Sequence, residues 1–320
     1  MCGDKNKTLM NYEDILKKPK QFLSLTSLEV EEFEILLEHF KPRWERYYRS
    51  HTLEGKYRVH PANKEHGSAA LQGTAQKLFF LLVYLKSNLL QELQAASFGV
   101  SQSKVSRIVR TLLSLLDQSL KDMGLSPWRD GETLHRQLAE HPDKVFSYDG
   151  TDRDIERNSD WDAQAEEYSG KHHGHKVKNL LLSDDRQYVH YLSPTFPGSS
   201  HDKAIANEFP LSLPSSSVLR QDAGFIGHAP PGVLIEQPFK KSKNHELTFP
   251  QKLFNKMLAA MRVVIEHANS GVKRLKIVKE MIRLHSLEIR DRVMVVACAL
   301  HNLRVKSPIR NYSSYKSACV

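Results

Sequence analysis

The spacing of apolar residues changes near Val145, and this change constrains the fold of the 320-residue chain more than any other feature. Before that point apolar residues recur at steps of three and four, which is typical of amphipathic helices. After it, short apolar runs such as VFSYDGT and SSVLRQDAGF have the length and composition of strands. We therefore predict an all-α segment followed by an α/β segment with a layered architecture.

Composition and the positions of turn-forming residues divide the chain into five predicted segments. These are a flexible basic arm over 1–23, a helical domain over 24–125, a connector over 126–143, an α/β domain over 144–306 and a tail over 307–320. Ser27 is expected to cap the first long helix, and Pro42 is expected to end it. Apolar runs are far shorter than the ~20 residues of a membrane helix. Because an N-terminal secretory signal is also lacking, we expect a cytoplasmic protein.

A helix-turn-helix is predicted where NLLQELQAASFGV meets SQSKVSRIVRTLLSLL. Gly99 can adopt the left-handed conformation that ends a helix, and Ser101 is a natural N-cap for the next one. The polar face of that second helix is predicted to contact DNA through Gln102, Ser103, Ser106, Arg107 and Arg110. Lys and Arg exceed Asp and Glu by 46 to 37, which favours a polyanionic partner. An ordinary helical hairpin with a solvated basic face is the alternative.

Two predicted strands are each followed by an acid and a nearby glycine, in Asp149-Gly150 and in Asp222-Ala223-Gly224. If these strands are neighbours, their carboxyl ends meet at one edge of the sheet and the two carboxylates repel unless a cation lies between them. Glu266, in a long apolar helix, is a third candidate. Oxygen ligands favour Mg²⁺ or Mn²⁺, and three such acids are typical of a two-metal phosphoryl-transfer site. Taken singly, each could instead be a turn aspartate or a surface glutamate.

The order of several motifs resembles that of DDE transposases of bacterial insertion sequences, in the group related to Harbinger transposases. The matching strings are FSYDGTDRDIER, YSGKHHGHKVKNLLLSDD, FPGSSHDKAI, LRQDAGFIGH, LTFPQKLFNKMLAAMRVVIEHANSGVKRLKI and ACALHNLRV. The N-terminal helix and the helix-turn-helix also fit this family, so the resemblance covers roughly residues 24–306.

The resemblance implies an RNase H-like mixed-sheet fold with Asp149, Asp222 and Glu266 as the catalytic triad. These acids, with Asp202 in a supporting role, would hold two Mg²⁺ or Mn²⁺ ions. The implied reaction hydrolyses the phosphodiester at a transposon end and joins the freed 3′ hydroxyl to target DNA, within a homodimer or higher oligomer. Further DNA contacts are expected at Lys171, Lys176, Lys178, Arg262 and Lys273.

Two departures from the family pattern change residues around the triad. The usual lysine and arginine string after YSGK contains His172, His173 and His175 here, and Phe225 replaces a frequent tyrosine. We interpret the histidine-rich stretch as a DNA-facing strand, because no cysteine or carboxylate stands at metal-ligand spacing beside it. An HD-type phosphohydrolase at His201-Asp202 would need further ligands. A domesticated DNA-binding protein and a nuclease without strand transfer are the remaining alternatives. We expect the protein at the bacterial nucleoid.

Overall fold

A computed structural model describes residues 10–62, 64–65, 71–139, 144–241 and 246–310 of the chain. The described residues form two compact units. The first contains the residues up to Ser126 together with Lys273–Glu280 and Leu284–Arg304. The second contains Pro127–Val272, Met281–Arg283 and the residues from Val305 onward. The predicted arm before residue 10 and the tail after residue 310 lie outside the described residues.

The helices in chain order are α1 (Tyr12–Leu16), α2 (Pro19–Thr26), α3 (Val30–Ser50), α4 (Thr74–Ser87), α5 (Gln91–Phe98), α6 (Gln102–Asp122), α7 (Gly131–Leu138), α8 (Trp161–Glu167), α9 (Asp202–Glu208), α10 (Phe249–Val272), α11 (Lys276–Lys279) and α12 (Leu287–Lys306). The strands are β1 (Val145–Asp154), β2 (Tyr168–Ser169), β3 (Gly174–Asp184), β4 (Val189–Leu192), β5 (Phe196–Pro197), β6 (Val218–Gln221) and β7 (Leu234–Glu236). Among the described residues, no helix is both long and apolar enough to cross a lipid bilayer.

The first unit is entirely helical and begins earlier than the sequence predicted. Residues 12–26 form α1 and α2, and Phe22 of α2 is fully buried against Phe33 and Phe79, at ring-centroid distances of 5.2 and 5.8 Å. The prediction of a flexible arm up to residue 23 is therefore wrong for this stretch. The aromatic contacts explain why, since burial of such rings offsets the entropy of ordering a short helix.

Two predicted limits of α3 are also wrong. Ser27 does not cap α3. It lies after α2 in the left-handed conformation, and Glu29 and Glu32 form a reciprocal capping box instead. Pro42 lies inside α3 rather than at its end. A proline inside a helix costs roughly 3 kcal/mol, and here the buried Phe40 and Trp44 on either side hold the helix in place through packing.

The predicted helix-turn-helix is formed by α5, the turn at Gly99 and α6. Gly99 has φ 65° and ψ 31°, the left-handed conformation that the prediction required. Ser101 occupies the N-cap position of α6, although its side chain does not cap the helix. The apolar stripe of α6, from Val105 to Leu116, is buried. This packing leaves the opposite, polar face of the helix to solvent.

The first unit also includes residues that follow α10 in sequence. Asn302 of α12 donates a hydrogen bond from its side-chain amide to the carbonyl of Leu125 at 2.8 Å. Lys86 of α4 donates to the carbonyl of Arg274 at 2.9 Å. The predicted α/β segment over 144–306 therefore shares α11 and most of α12 with the helical unit, while its functional limits stay a prediction.

The second unit is built on a mixed sheet in which β1 is central. The strand order is β2-β3-β1-β6-β7, and β4 and β5 both pair with β3. Strand β1 pairs with β3 in antiparallel fashion and with β6 in parallel fashion, and β6 pairs in parallel with β7. Helices accompany this sheet, which confirms the predicted α/β fold class of the RNase H-like type. The core includes Phe146, Tyr148, Leu182 and Leu219.

Replacement of Leu219 by alanine tests this arrangement. Leu219 is fully buried on β6, whereas Leu234 on the neighbouring β7 is 62% exposed. We expect Leu219→Ala to lower the free energy of unfolding by about 2–5 kcal/mol through loss of apolar contact and a residual cavity. The matched Leu234→Ala change should stay within about 0.5 kcal/mol of the wild type. Urea denaturation measures both, and equal effects would contradict the described sheet.

Candidate active site

Asp149 and Asp222 lie side by side because their strands are neighbours, as predicted. The parallel ladder between β1 and β6 ends at the pair Tyr148 and Gln221, so the next residue on each strand is one of the two acids. One detail of the prediction is wrong. Strand β1 does not end at Asp149 but continues to Asp154, because its other edge remains paired with β3, where Asp149 lies opposite Leu181.

The carboxylate of Asp149 is held by two hydrogen-bond donors. Its Oδ1 accepts from the backbone N–H of Gly150 at 2.9 Å, and its Oδ2 accepts from the side-chain amide of Asn269 at 3.1 Å. Burial and then the nearby negative charge of Asp222 raise the pKa of Asp149 to about 6, against the opposing positive charge of Arg262. The charged form of Asp149 is thus disfavoured in the protein alone.

The carboxylate of Asp222 is positioned by the turn that follows it. Asp222 precedes a 3₁₀ turn at Ala223–Phe225, and its Oδ1 accepts from the backbone N–H of Gly224 at 2.7 Å. Phe225, the residue that replaces the family tyrosine, is fully buried and packs on Tyr148 with ring centroids 4.9 Å apart. The substitution therefore keeps the turn packed beneath the acid.

Asp202, the first residue of α9, lies against the glycines of both acidic motifs. A Cβ placed on Gly150 would lie 2.9 Å from Oδ1 of Asp202. A Cβ placed on Gly224 would lie 2.9 Å from Oδ1 of Asp222 and 3.1 Å from Oδ2 of Asp202. A larger residue at either position would push these carboxylates from where they lie, so the two glycines allow the acids to approach closely. Asp202 is therefore a third carboxylate in this cluster.

Lys178 is the internal cation of this group. Its Nζ lies 2.9 Å from Oδ1 of Asp202 and 3.9 Å from Oδ1 of Asp152, and it donates to the carbonyl of Ser200 at 3.0 Å. Lys176 on the same strand pairs with Asp154. Both lysines were predicted to contact DNA, and the structure shows their charges already balanced by carboxylates, whereas Lys171 is exposed.

Glu266 lies on α10, on the helix face that is turned toward Asp149. Asn269, which bonds Asp149, stands three residues after it, and Arg262, whose charge acts on Asp149, stands four residues before it. Residues at these spacings share one helix face. Glu266 itself is exposed, and the described contacts join it to none of the aspartates. Sequence reasoning missed Asn269, although its position one turn after Glu266 was a usable signal.

The described side chains around Asp149 do not form a complete metal cage. Within the described ranges, no group of three or more histidine, cysteine, aspartate or glutamate side chains is arranged to hold a metal ion. This includes the histidine-rich stretch, where His172 instead lies 3.1 Å from Asp152.

The predicted DNA-contacting residues fall in both units. On α6 the structure leaves Gln102, Ser103, Arg107 and Arg110 exposed and Ser106 half-buried, all away from the buried stripe. Arg262 belongs to the second unit and acts on Asp149, whereas Lys273 belongs to the first unit and is half-buried. The contacts of these residues with DNA stay a prediction.

Two regions of the chain match families of known proteins. Residues 148–302 match the family described as DDE superfamily endonuclease, a span that contains Asp149, Asp202, Asp222 and Glu266. Residues 70–122 match the family described as helix-turn-helix of DDE superfamily endonuclease, a span that contains α4, α5 and α6. The two matches do not overlap. The limits of the predicted domains stay a prediction.

A curated relative supports the same assignment. The chain is 29% identical over 192 residues to a protein of Microchaete diplosiphon named probable transposase for insertion sequence element IS702. The alignment covers 58% of this chain and 64% of that relative, so it spans slightly less than two thirds of the relative's length. No solved structure matches the chain significantly. From the two family matches and this relative, we conclude that the chain belongs to the DDE superfamily of endonucleases and transposases.

Proposed function

We propose that this protein is a DNA transposase that binds transposon end repeats, hydrolyses the phosphodiester at those ends and joins the 3′ hydroxyl to target DNA. The observation that carries the proposal is the adjacency of Asp149 and Asp222 at the end of the β1–β6 ladder. The family matches and the relative named as a transposase support it.

The donor set of the site fits divalent cations. Asp149 and Asp222 present carboxylate oxygens at one edge of the sheet, and Glu266 lies on the same helix face as Asn269, which bonds Asp149. Oxygen-only donors favour Mg²⁺ or Mn²⁺, and we propose two ions held by Asp149, Asp222 and Glu266, with Asp202 in support. When bound, such ions would supply activation of the attacking oxygen and stabilisation of the leaving oxygen.

The remaining residues of the site position these acids. The amide of Asn269 orients the carboxylate of Asp149, and the turn N–H of Gly224 orients that of Asp222. Lys178 holds Asp202 against the two glycines through an ion pair at 2.9 Å. Asp149, Asp222 and Asp202 are thus each fixed by a separate hydrogen bond or ion pair.

The first unit supplies the proposed DNA-binding surface. The exposed face of α6 offers short polar groups and two arginines, which suit phosphate and base-edge contacts in a major groove. Since the reaction unites two DNA ends, we propose that the protein works as a homodimer or higher oligomer at the bacterial nucleoid.

Replacement of a triad acid should abolish cleavage. We expect Asp149→Asn to reduce Mg²⁺- or Mn²⁺-dependent cleavage of the terminal inverted repeats by about 10³-fold or more, because several kcal/mol of charge stabilisation are lost. DNA binding in a gel shift should remain. Asp154→Asn is the matched control, since Asp154 lies on the same strand but pairs with Lys176. Wild-type levels of cleavage by Asp149→Asn would contradict the proposal. Cleavage by the wild-type protein without joining to target DNA would identify it as a nuclease that lacks strand transfer.

The same substitution should stabilise the protein when divalent cations are absent. The pKa of Asp149 is raised from 3.8 to about 6, so the folded state binds more protons than the unfolded state between these values and stability falls as pH rises through that window. At neutral pH we expect Asp149→Asn to raise the free energy of unfolding by about 2 kcal/mol, after allowance for a weakened hydrogen bond. Denaturant titrations in EDTA should show this gain disappearing below pH 4. A gain that is independent of pH would refute the electrostatic cause.

A further inference from the structure

A cavity of about 480 Å³ lies in the first unit, and none of its lining residues belongs to α6. It is bordered by the end of α2, the end of α4 and the segment that leads into α11. We call it the basic pocket, and its polar lining consists of Ser24, Ser27, Lys86, Ser87, Arg274 and Lys276. The turn that follows α2 places Ser27 in the left-handed conformation at φ 70°.

Lys86 is the centre of positive charge in the basic pocket. Its Nζ donates to the carbonyl of Arg274 at 2.9 Å, which fixes the ammonium group beside the segment leading into α11. Burial, and then the positive charges of Arg274, Arg304, Lys276 and Lys279, lower the pKa of Lys86. Four cationic side chains therefore act on Lys86 within the first unit.

In the first unit, the positive charge of another lysine is neutralised by an acid, whereas the cations around the basic pocket outnumber the acids beside them. Lys77, also on α4, pairs with Glu65 at 2.7 Å. Around the basic pocket, the described ion pairs include one acid, Glu280, which lies 3.3 Å from Lys276. Lys86, Arg274, Lys276 and Lys279 outnumber this one described acid, and like charges held together in this way attract an anionic ligand.

The side chains that line the basic pocket favour phosphate over other anions. Lysine, arginine and serine side chains are the groups that proteins commonly use to bind phosphate oxygens. We propose that the basic pocket binds a phosphate group of the DNA backbone, as a contact separate from that of α6. The phosphate chemistry stands on the pocket itself, and only the choice of DNA as its source rests on the proposed function.

The contact would join two distant parts of the sequence. Lys86 lies within the span matched by the helix-turn-helix family, whereas Arg274 and Lys276 follow the helix that carries Glu266. A phosphate in the basic pocket would therefore be held by the helix-turn-helix region and by the segment after α10 at once. Such a contact adds affinity and fixes the position of the protein on the duplex without reading sequence.

The test removes the two exposed cations of the basic pocket with the double change Arg274→Gln and Lys276→Gln. Binding to a random-sequence duplex is measured by fluorescence anisotropy at increasing KCl. We expect the log–log slope of affinity against salt to become less negative by about 1–2, because each lost phosphate contact contributes about 0.9. The matched control is Lys41→Gln with Lys56→Gln, which removes two exposed lysines of the same unit outside the pocket.

Further measurements distinguish a DNA phosphate contact from the alternatives. Thermal unfolding checks that the double variant is folded, and Lys86→Gln provides a second variant should it not be. An unchanged slope in folded pocket variants, with Arg107→Gln weakening DNA binding, would overturn the proposal. A different outcome is that pyrophosphate stabilises the wild type against heat but not the pocket variants, while the salt slope of DNA binding stays unchanged. That result would assign the pocket to a free phosphate compound and overturn DNA as the source of the phosphate. A changed slope in a protein that never cleaves DNA would keep this inference while refuting the proposed transposase.

Discussion

The repulsion between Asp149 and Asp222 at the end of a parallel strand pair is the main constraint on the candidate site. The sheet places these acids next to each other through backbone register. Burial strengthens the effect, as the raised pKa of Asp149 shows. The hydrogen bond from Asn269, the turn at Gly224 and the charge of Arg262 are the means by which the fold tolerates this arrangement.

Positive charge is distributed unevenly across the chain, and its placement separates structural from ligand-binding roles. Lys178 and Lys176 are neutralised within the second unit, next to the carboxylates that need them. Lys77 is neutralised by Glu65 in the core of the first unit. The basic pocket around Lys86 and the face of α6 keep their excess charge, which is the condition for binding a polyanion from solution.

Much of the fold and the position of the site could be predicted from the sequence, because both depend on local patterns. The turn at Gly99 and the two acid-glycine motifs each require a particular residue type at a particular place, so they can be recognised in a single sequence. Pro42 shows the limit of such reasoning, since its local cost is overcome by packing that only the folded unit provides. The ion pairs of Lys178 and the amide of Asn269 were not predictable for the same reason. Their partners lie far away in sequence, and their surroundings are set by tertiary contacts.

The most direct test of this account is the position of Mn²⁺ in crystals of the protein, located by its anomalous scattering. We expect manganese bound by carboxylate oxygens of both Asp149 and Asp222, with Glu266 brought into the same ligand shell. Manganese bound elsewhere, with these carboxylates left uncoordinated at saturating metal, would contradict the central claim that their adjacency exists to hold a cation.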